Sequence, residues 1–228
     1  MAKLFIVATP IGNLEDISKR ALRILSQVDF ILCEDTRVTK KLLSSYKIKK
    51  PTISYYQHSR FKKINYILNL LREGKELALV SDAGTPGISD PGNKLISIVV
   101  EKEKGVEIIP VPGPSALIAS ASISGFPMDK FLFLGFPPAR KKRKKFFREI
   151  VSSKYPVIFY ESPHRILKTL DELKNVFYDL GLKFQIVVFR ELTKKFETVY
   201  RGDIEKVIKE IEKGGKRGEF IIIVKKES

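Results

Sequence analysis

Thiol and imidazole chemistry is nearly missing from this chain. Cys33 is its single cysteine, and His58 and His164 are its two histidines. One cysteine excludes an intrachain disulfide and a cysteine-based zinc cluster, and two histidines far apart in sequence would need carboxylates recruited from elsewhere to hold a metal. No metal is therefore expected, and the sparse cysteine fits a reducing compartment. Long apolar runs are lacking too. The first is broken at Pro10, too early for a signal-peptide core, and none approaches the ~20 residues of a membrane span. A cytoplasmic protein with no membrane partner is expected. Acidic residues are in deficit: 42 Lys and Arg stand against 26 Asp and Glu, a formal net charge of +16. That imbalance attracts polyanions, nucleic acid before membrane.

Three common motifs are absent as well. The loop at residues 8–13 offers only Gly12 and places Pro10 where the dinucleotide motif G-x-G-x-x-G needs freedom, although Glu34 and Asp35 stand roughly 20 residues further on, where an acid would grip a ribose. There is no G-x-x-x-x-G-K-[ST] loop for a triphosphate and no G-x-S-x-G nucleophile elbow.

What is present is a repeated design of strand, rigid loop and helix. The segments Ala8-Thr9-Pro10-Ile11-Gly12-Asn13, Ser81 to Gly92 and Val111-Pro112-Gly113-Pro114-Ser115-Ala116 each follow an apolar run and are dense in Gly and Pro. Glycine allows positive φ and close approach to a ligand, and proline freezes φ. Each loop sits at the carboxyl end of a strand, where open α/β sheets bind ligands. Periodicity predicts strands at 4–7, 28–33, 52–56, 76–80 and 106–110, with helices at 13–26, 38–46, 64–72, 93–100 and 115–125. Asn13 with Asp16 reads as a capping box, and Asn93 as a helix cap. The turn-rich stretch 125–130 predicts a boundary between domains at 1–125 and 126–228. Beyond it, strands are predicted at 131–136, 157–160, 185–190, 197–201 and 220–224, and helices at 141–151, 163–180 and 204–211. Mostly parallel sheets with helices on both faces are expected, with an antiparallel portion between the strands near Arg190 and Glu197. A chain of 228 residues, 43% of them hydrophobic, can build such cores.

Polar groups at strand ends are the candidates for chemistry. Glu34-Asp35-Thr36-Arg37 packs two acids, a hydroxyl and a guanidinium together, and its alternative role is a helix cap with a local ion pair. Tyr160-Glu161-Ser162-Pro163-His164-Arg165 is a second such end. Arg140, Lys141, Lys142, Arg143, Lys144 and Lys145 are six consecutive cations; a solvated helix would normally mix signs, so polyanion contact is the favoured reading.

Taken together, Thr9-Pro10-Ile11-Gly12-Asn13-Leu14, Glu34-Asp35-Thr36-Arg37, Ser81 through Gly92, Pro112-Gly113-Pro114-Ser115-Ala116 and Phe159 through Arg165 closely resemble the bacterial small-subunit ribosomal RNA methyltransferase I family of the tetrapyrrole-methylase superfamily. The resemblance spans nearly the whole chain. It implies a two-domain α/β tetrapyrrole-methylase-like fold (class III S-adenosylmethionine-dependent methyltransferase), a homodimer, S-adenosylmethionine in the cleft between domains, and 2'-O-methylation of a decoding-centre cytidine in 16S ribosomal RNA or the assembled small subunit. Carried over by position, it implies that the cofactor meets Pro10, Ile11, Gly12, Asp82, Ala83, Gly84, Thr85, Pro112, Gly113, Ser115, Ala116 and Tyr160. Glu34, Asp35 and Arg37 are the catalytic candidates, an acid as base and Arg37 placing a phosphate, with Glu161, His164 and Arg165 as other polar groups in reach. Family members often continue into a further C-terminal segment, so here the basic run and the dimer are expected to supply more of the RNA contact. A superfamily methylase of tetrapyrroles or another small molecule, and a non-catalytic RNA-binding module, are the alternatives.

Overall fold

The computed structural model describes residues 1–56 and 61–227. His58 lies outside the described residues. The chain divides into two compact units, Met1–Ser115 and Ala116–Ser228.

The first unit alternates strand and helix: β1 Lys3–Val7, α1 Lys19–Gln27, β2 Phe30–Cys33, α2 Thr36–Ser45, β3 Thr52–Ser54, α3 Phe61–Arg72, β4 Leu77–Leu79, α4 Asn93–Lys102 and β5 Glu107–Val111. Its sheet runs β3-β2-β4-β1-β5, and every pairing is parallel. Both faces are apolar, as a sheet covered twice requires. Leu4, Leu32, Leu77 and Leu79 pack under Ile64, Ile67 and Leu71 of α3 and Leu95 and Val99 of α4. The alternate residues Phe5, Val7, Ile31 and Ala78 face Ala21 and Leu25 of α1 and Leu43 of α2. Parallel strands carry all their outgoing loops to one edge, so the loops after β1, β2, β4 and β5 share it.

Two predicted helix starts differ. Asn13 caps only a single 3-10 turn, Leu14–Asp16, accepting from the Glu15 N–H, and Ser18 then opens α1 by accepting from the Ala21 N–H. Two successive caps split what one helical stripe suggested. Asn93 is not a cap. The N-cap is Gly92 at φ 151°, and the Asn93 side chain reaches back to donate to the Gly87 carbonyl at 2.9 Å, closing the long loop on itself.

The second unit holds α5 Ala116–Ser122, β6 Leu132–Phe133, α6 Arg143–Ser152, β7 Val157–Glu161, α7 Ile166–Asp179, β8 Phe184–Arg190, β9 Thr198–Gly202, α8 Ile204–Gly214 and β10 Phe220–Lys226. Its sheet order is β6-β7-β10-β8-β9. Only β6 and β7 pair in parallel; β10 runs antiparallel to both neighbours, and the expected antiparallel portion is the β8–β9 pair. The core lies between this sheet and Phe146 and Ile150 of α6, Leu170, Leu173 and Phe177 of α7, and Val207 and Ile211 of α8. The division between units falls ten residues before the turn-rich stretch. Arg201 of β9 explains this, because its guanidinium donates to the carbonyls of Ile123 and Ser124 and ties the end of α5 into the second unit.

The basic run is not uniform. Its helix begins at Arg143, with Lys142 at φ 68° as the N-cap, and the Arg143 side chain turns inward. There it donates to Glu172 at 2.5 Å, Thr169 Oγ1 at 2.6 Å and the Pro138 carbonyl at 3.0 Å, and lies 5.3 Å from the Phe147 ring. Thr169 passes a hydrogen bond at 2.6 Å to the buried Glu161, whose other oxygen meets Arg165 at 2.8 Å, and Arg165 in turn donates to the Pro137 carbonyl. Assigning Arg143 to a polyanion is therefore corrected: its donors are taken by internal partners. The remaining five cations are exposed. Removing one partner of a buried charge network strands the other. Arg143→Leu should lower stability in urea denaturation by about 3 kcal/mol, whereas Lys144→Leu on the solvated side should change it by less than about 0.5 kcal/mol.

Candidate active site

Three of the four loops at the shared edge are stitched together by their own backbones. Thr9 and Gly84 exchange two hydrogen bonds, N–H to carbonyl at 2.9 Å and the reverse at 3.0 Å, an antiparallel bridge between loops that leave parallel strands. The Ala8 N–H donates to Val111 at 3.2 Å, extending the β1–β5 ladder one step past the strands. Two hydroxyls complete the seam: Thr9 Oγ1 donates to the Ser81 carbonyl at 3.2 Å and Thr85 Oγ1 to the Pro114 carbonyl at 3.1 Å. Gly84 sits at φ 76°, and a Cβ there would stand 3.3 Å from Ile11 Cγ2. A Cβ on Gly113 would stand 3.0 Å from the Ala8 Cβ, so that loop lies flat against β1's exit.

This seam sorts the candidate cofactor residues. Pro10, Ile11 and Gly84 are buried and form the floor, while Gly12, Asp82, Ala83, Pro112 and Gly113 are exposed and Thr85 and Ser115 are half-buried. Among the described residues the Ser81 hydroxyl is buried with no partner. Thr9 and Ser81 stand in the quoted motifs but outside the candidate cofactor residues; the available signal was a hydroxyl at a strand exit. Ala116 opens α5 in the second unit, and Tyr160 lies there in β7, half-buried between the rings of Phe133 at 5.0 Å and Phe136 at 5.3 Å.

The fourth loop, after β2, is joined through Asp82, whose Oδ1 accepts from the Asp35 N–H at 3.2 Å. Asp35 also caps α2, accepting from the Arg37 N–H at 2.8 Å, and its carboxylate receives the Arg37 guanidinium at 2.7 Å. The hydrogen bonds from Arg37 hold its carboxyl at about 2. Such an acid is committed to its anionic form. Glu34, one residue earlier, is exposed, and its carboxyl is pushed above the ordinary value by partial burial and then by the negative charges of Asp82 and Asp35. Cys33 is buried, with burial pushing its thiol up, so it offers no nucleophile.

In the second unit, Glu161 and Arg165 are occupied by the buried network described above, and His164 stands exposed in the turn before α7. Among the described residues no group of three or more His, Cys, Asp or Glu could hold a metal ion. No helix among them is long and apolar enough to cross a membrane.

A parallel sheet with interlocked exit loops is followed in this chain by a mixed-sheet unit. Cobalt precorrin-4 methyltransferase superposes with a TM-score of 0.69 at 21% identity, over 98% of this chain and 94% of that one. Uroporphyrin-III-C-methyltransferase from Thermus thermophilus gives 0.63 at 17%, over 97% and 93%. The family model for tetrapyrrole (corrin/porphyrin) methylases matches residues 3–208. A protein of Thermotoga maritima named ribosomal RNA small subunit methyltransferase I is 44% identical over 98% of each chain, and one of Hydrogenobaculum sp. with the same name is 45% identical over 99% of this chain and 96% of its own. The chain belongs to the tetrapyrrole methylase family, among the ribosomal RNA small subunit methyltransferase I proteins, and its cofactor is S-adenosylmethionine.

The cradle suits that cofactor. Residues 82–83 and 112–113 are exposed beside the seam, and the carboxylates of Asp82 and Asp35 stand there to suit its cationic centres. Gly84→Val places a β-branched residue in left-handed backbone on the seam itself. Calorimetry should show S-adenosylmethionine affinity falling at least about tenfold, with about 1–3 kcal/mol of stability lost through the backbone strain. Gly105→Ala, at an open position outside the left-handed region, should leave both unchanged.

Proposed function

We propose that this protein transfers the methyl group of S-adenosylmethionine to a ribose 2'-hydroxyl in small-subunit ribosomal RNA, with a decoding-centre cytidine as the target and a homodimer as the working form. The observation that carries the chemistry is the acidic strand end clamped to the cofactor cradle, with one acid held ionised and the other raised. The names of the full-length relatives support the substrate class. When bound, the cofactor supplies an electrophilic methyl carbon on a sulfonium that departs as a neutral thioether. A ribose hydroxyl is scarcely ionised near neutral pH, so a group must accept its proton as the oxygen attacks. Glu34 fits that role better than Asp35, whose carboxylate is committed to α2 and to Arg37. Arg37, exposed on its far side, is free to meet a phosphate as well. Exposed Arg140, Lys141, Lys142, Lys144 and Lys145 hold further phosphates, without Arg143. Tritiated methyl transfer to small subunits lacking the modification, followed by nucleoside mapping, tests the reading; transfer to a porphyrinogen instead would overturn it.

A raised carboxyl stays protonated to higher pH, and a protonated acid cannot accept the hydroxyl proton. The rate should therefore fall on acidification through a value above the ordinary one for a glutamate, and Glu34→Gln should abolish that limb and slow turnover by on the order of 10²–10⁴-fold at unchanged cofactor affinity. Asp35→Asn should keep the limb but move it toward lower pH, because one of the charges that raise Glu34 is gone.

Replacing Lys141, Lys142 and Lys144 by Gln should weaken RNA binding at all sequences. Each lost phosphate contact on single-stranded RNA removes roughly 0.7 from the slope of log affinity against log salt, so the triple variant should lose about 2. A wild-type slope would assign the run to solvent.

A further inference from the structure

The segment between β8 and β9, Glu191 to Glu197, is held far more tightly than its exposure requires. Glu191 at φ 52° and Thr193 at φ 64° are both left-handed without being glycine. For threonine, branched at Cβ, that conformation is a true outlier. Strain of this kind persists only where surrounding bonds over-determine it, and it gathers at binding and catalytic sites. The bonds are present. Lys194 N–H donates to the Glu191 carbonyl at 2.9 Å, Glu197 N–H to the Lys194 carbonyl at 3.0 Å, and Thr193 N–H to the Glu197 carboxylate at 2.5 Å. The Lys194 ammonium bridges Glu191 at 3.0 Å and Glu219 at 2.9 Å, and Glu191 also accepts from the Glu219 N–H. Gly218 makes room for this: a Cβ there would stand 2.4 Å from Glu191 Cγ.

The product of that rigidity is an aromatic ring in solvent. Leu192 anchors the loop in the interior, 8% exposed, while Phe196 at the other end is 64% exposed, with the Lys195 ammonium 5.7 Å from its ring centroid. Resting on the reading of RNA as substrate, we propose that this loop is a stacking platform on which Phe196 receives an unpaired base while Lys195 meets the adjoining phosphate. Single-stranded RNA is held in this way, by aromatic faces that accept any base and cations that follow the backbone. A rigid platform loses little entropy on binding, which gives the strained backbone a use. Around the loop exposed cations outnumber exposed acids, Lys195, Lys216 and Arg217 against Glu197 and Glu219, which favours RNA over a protein partner; Lys216 and Arg217 lie on the segment that Arg190 clamps through the Arg217 carbonyl at 2.7 Å.

The chain contains no tryptophan, so Phe196→Trp creates a single fluorophore at the platform. Titration with a short single-stranded oligoribonucleotide should quench it. Phe196→Ala should weaken binding of the same oligonucleotide by about 5- to 150-fold, and Phe196→Tyr should restore most of the loss. S-adenosylmethionine affinity of the alanine variant, measured by calorimetry, should equal that of the wild type. Absence of quenching at saturating RNA overturns the platform, as does an emission shift that follows protein concentration without RNA, which would mark a contact between copies. Methyl transfer by the wild-type protein to small subunits is scored separately. Transfer without quenching removes the platform and keeps the function; quenching without transfer keeps an RNA platform and removes the function.

Discussion

The paired hydrogen bonds between Thr9 and Gly84 are the constraint on which the site depends. Loops leaving parallel strands normally diverge toward their helices, and their backbone groups go to water or to side chains. Here two of them turn toward each other and pair antiparallel, which requires left-handed backbone at Gly84 and leaves no space for a larger side chain over Ile11. Once that pair is set, the third loop follows through Ala8 with Val111 and Thr85 with Pro114. A cradle made of main chain is rigid because the sheet beneath it is rigid. It also presents donors and acceptors whose positions do not depend on rotamers, so a flexible cofactor can be bound with little reorganisation of the protein.

Beside that seam, two neighbouring acids are set in different surroundings. Asp35 gives its lone pairs to the start of α2 and to Arg37, and its backbone N–H to Asp82, so it serves as a fixed negative charge and a joint between loops. Among the described residues Glu34 has no comparable partner, and it feels partial burial, Asp82 and then that fixed charge. The carboxyls of adjacent residues of similar type are thus shifted in opposite directions, the arrangement from which acid–base assignments are generally read.

The strand–loop–helix rhythm of the first unit was legible because buried parallel strands are short apolar runs and the loops between them are punctuated by Gly and Pro. The parallel order and the rigid loops at strand ends follow from that rhythm. Less legible was anything set by a side chain reaching across the chain. Asn93 reads as a cap from its position, yet its amide is used on Gly87 six residues back. Arg143 reads as one cation among six, yet α7 and the Pro138 carbonyl claim it. The end of α5 belongs with the second unit because of Arg201, some 77 residues away from Ser124. Local pattern carries no information about partners at that separation. Thr9 and Ser81 were hidden for a different reason: a short hydroxyl at a strand exit gives no sign of whether it will bond across to another loop, as Thr9 does to the Ser81 carbonyl, or stay without a partner among the described residues, as the Ser81 hydroxyl does.

Arg143 gives the basic run a direction. Six like charges on a free helix would point every way and repel one another, weakening the helix they occupy. Turning one inward to Glu172 lowers that repulsion and pins the segment entering α6, because the same guanidinium holds Pro138 while Arg165, through Glu161, holds Pro137. The five outward cations are therefore displayed from a backbone clamped at both prolines. A polyanion meeting such a surface loses less entropy in ordering it than it would on a loose basic tail, and that difference separates a docking surface from mere solubilising charge.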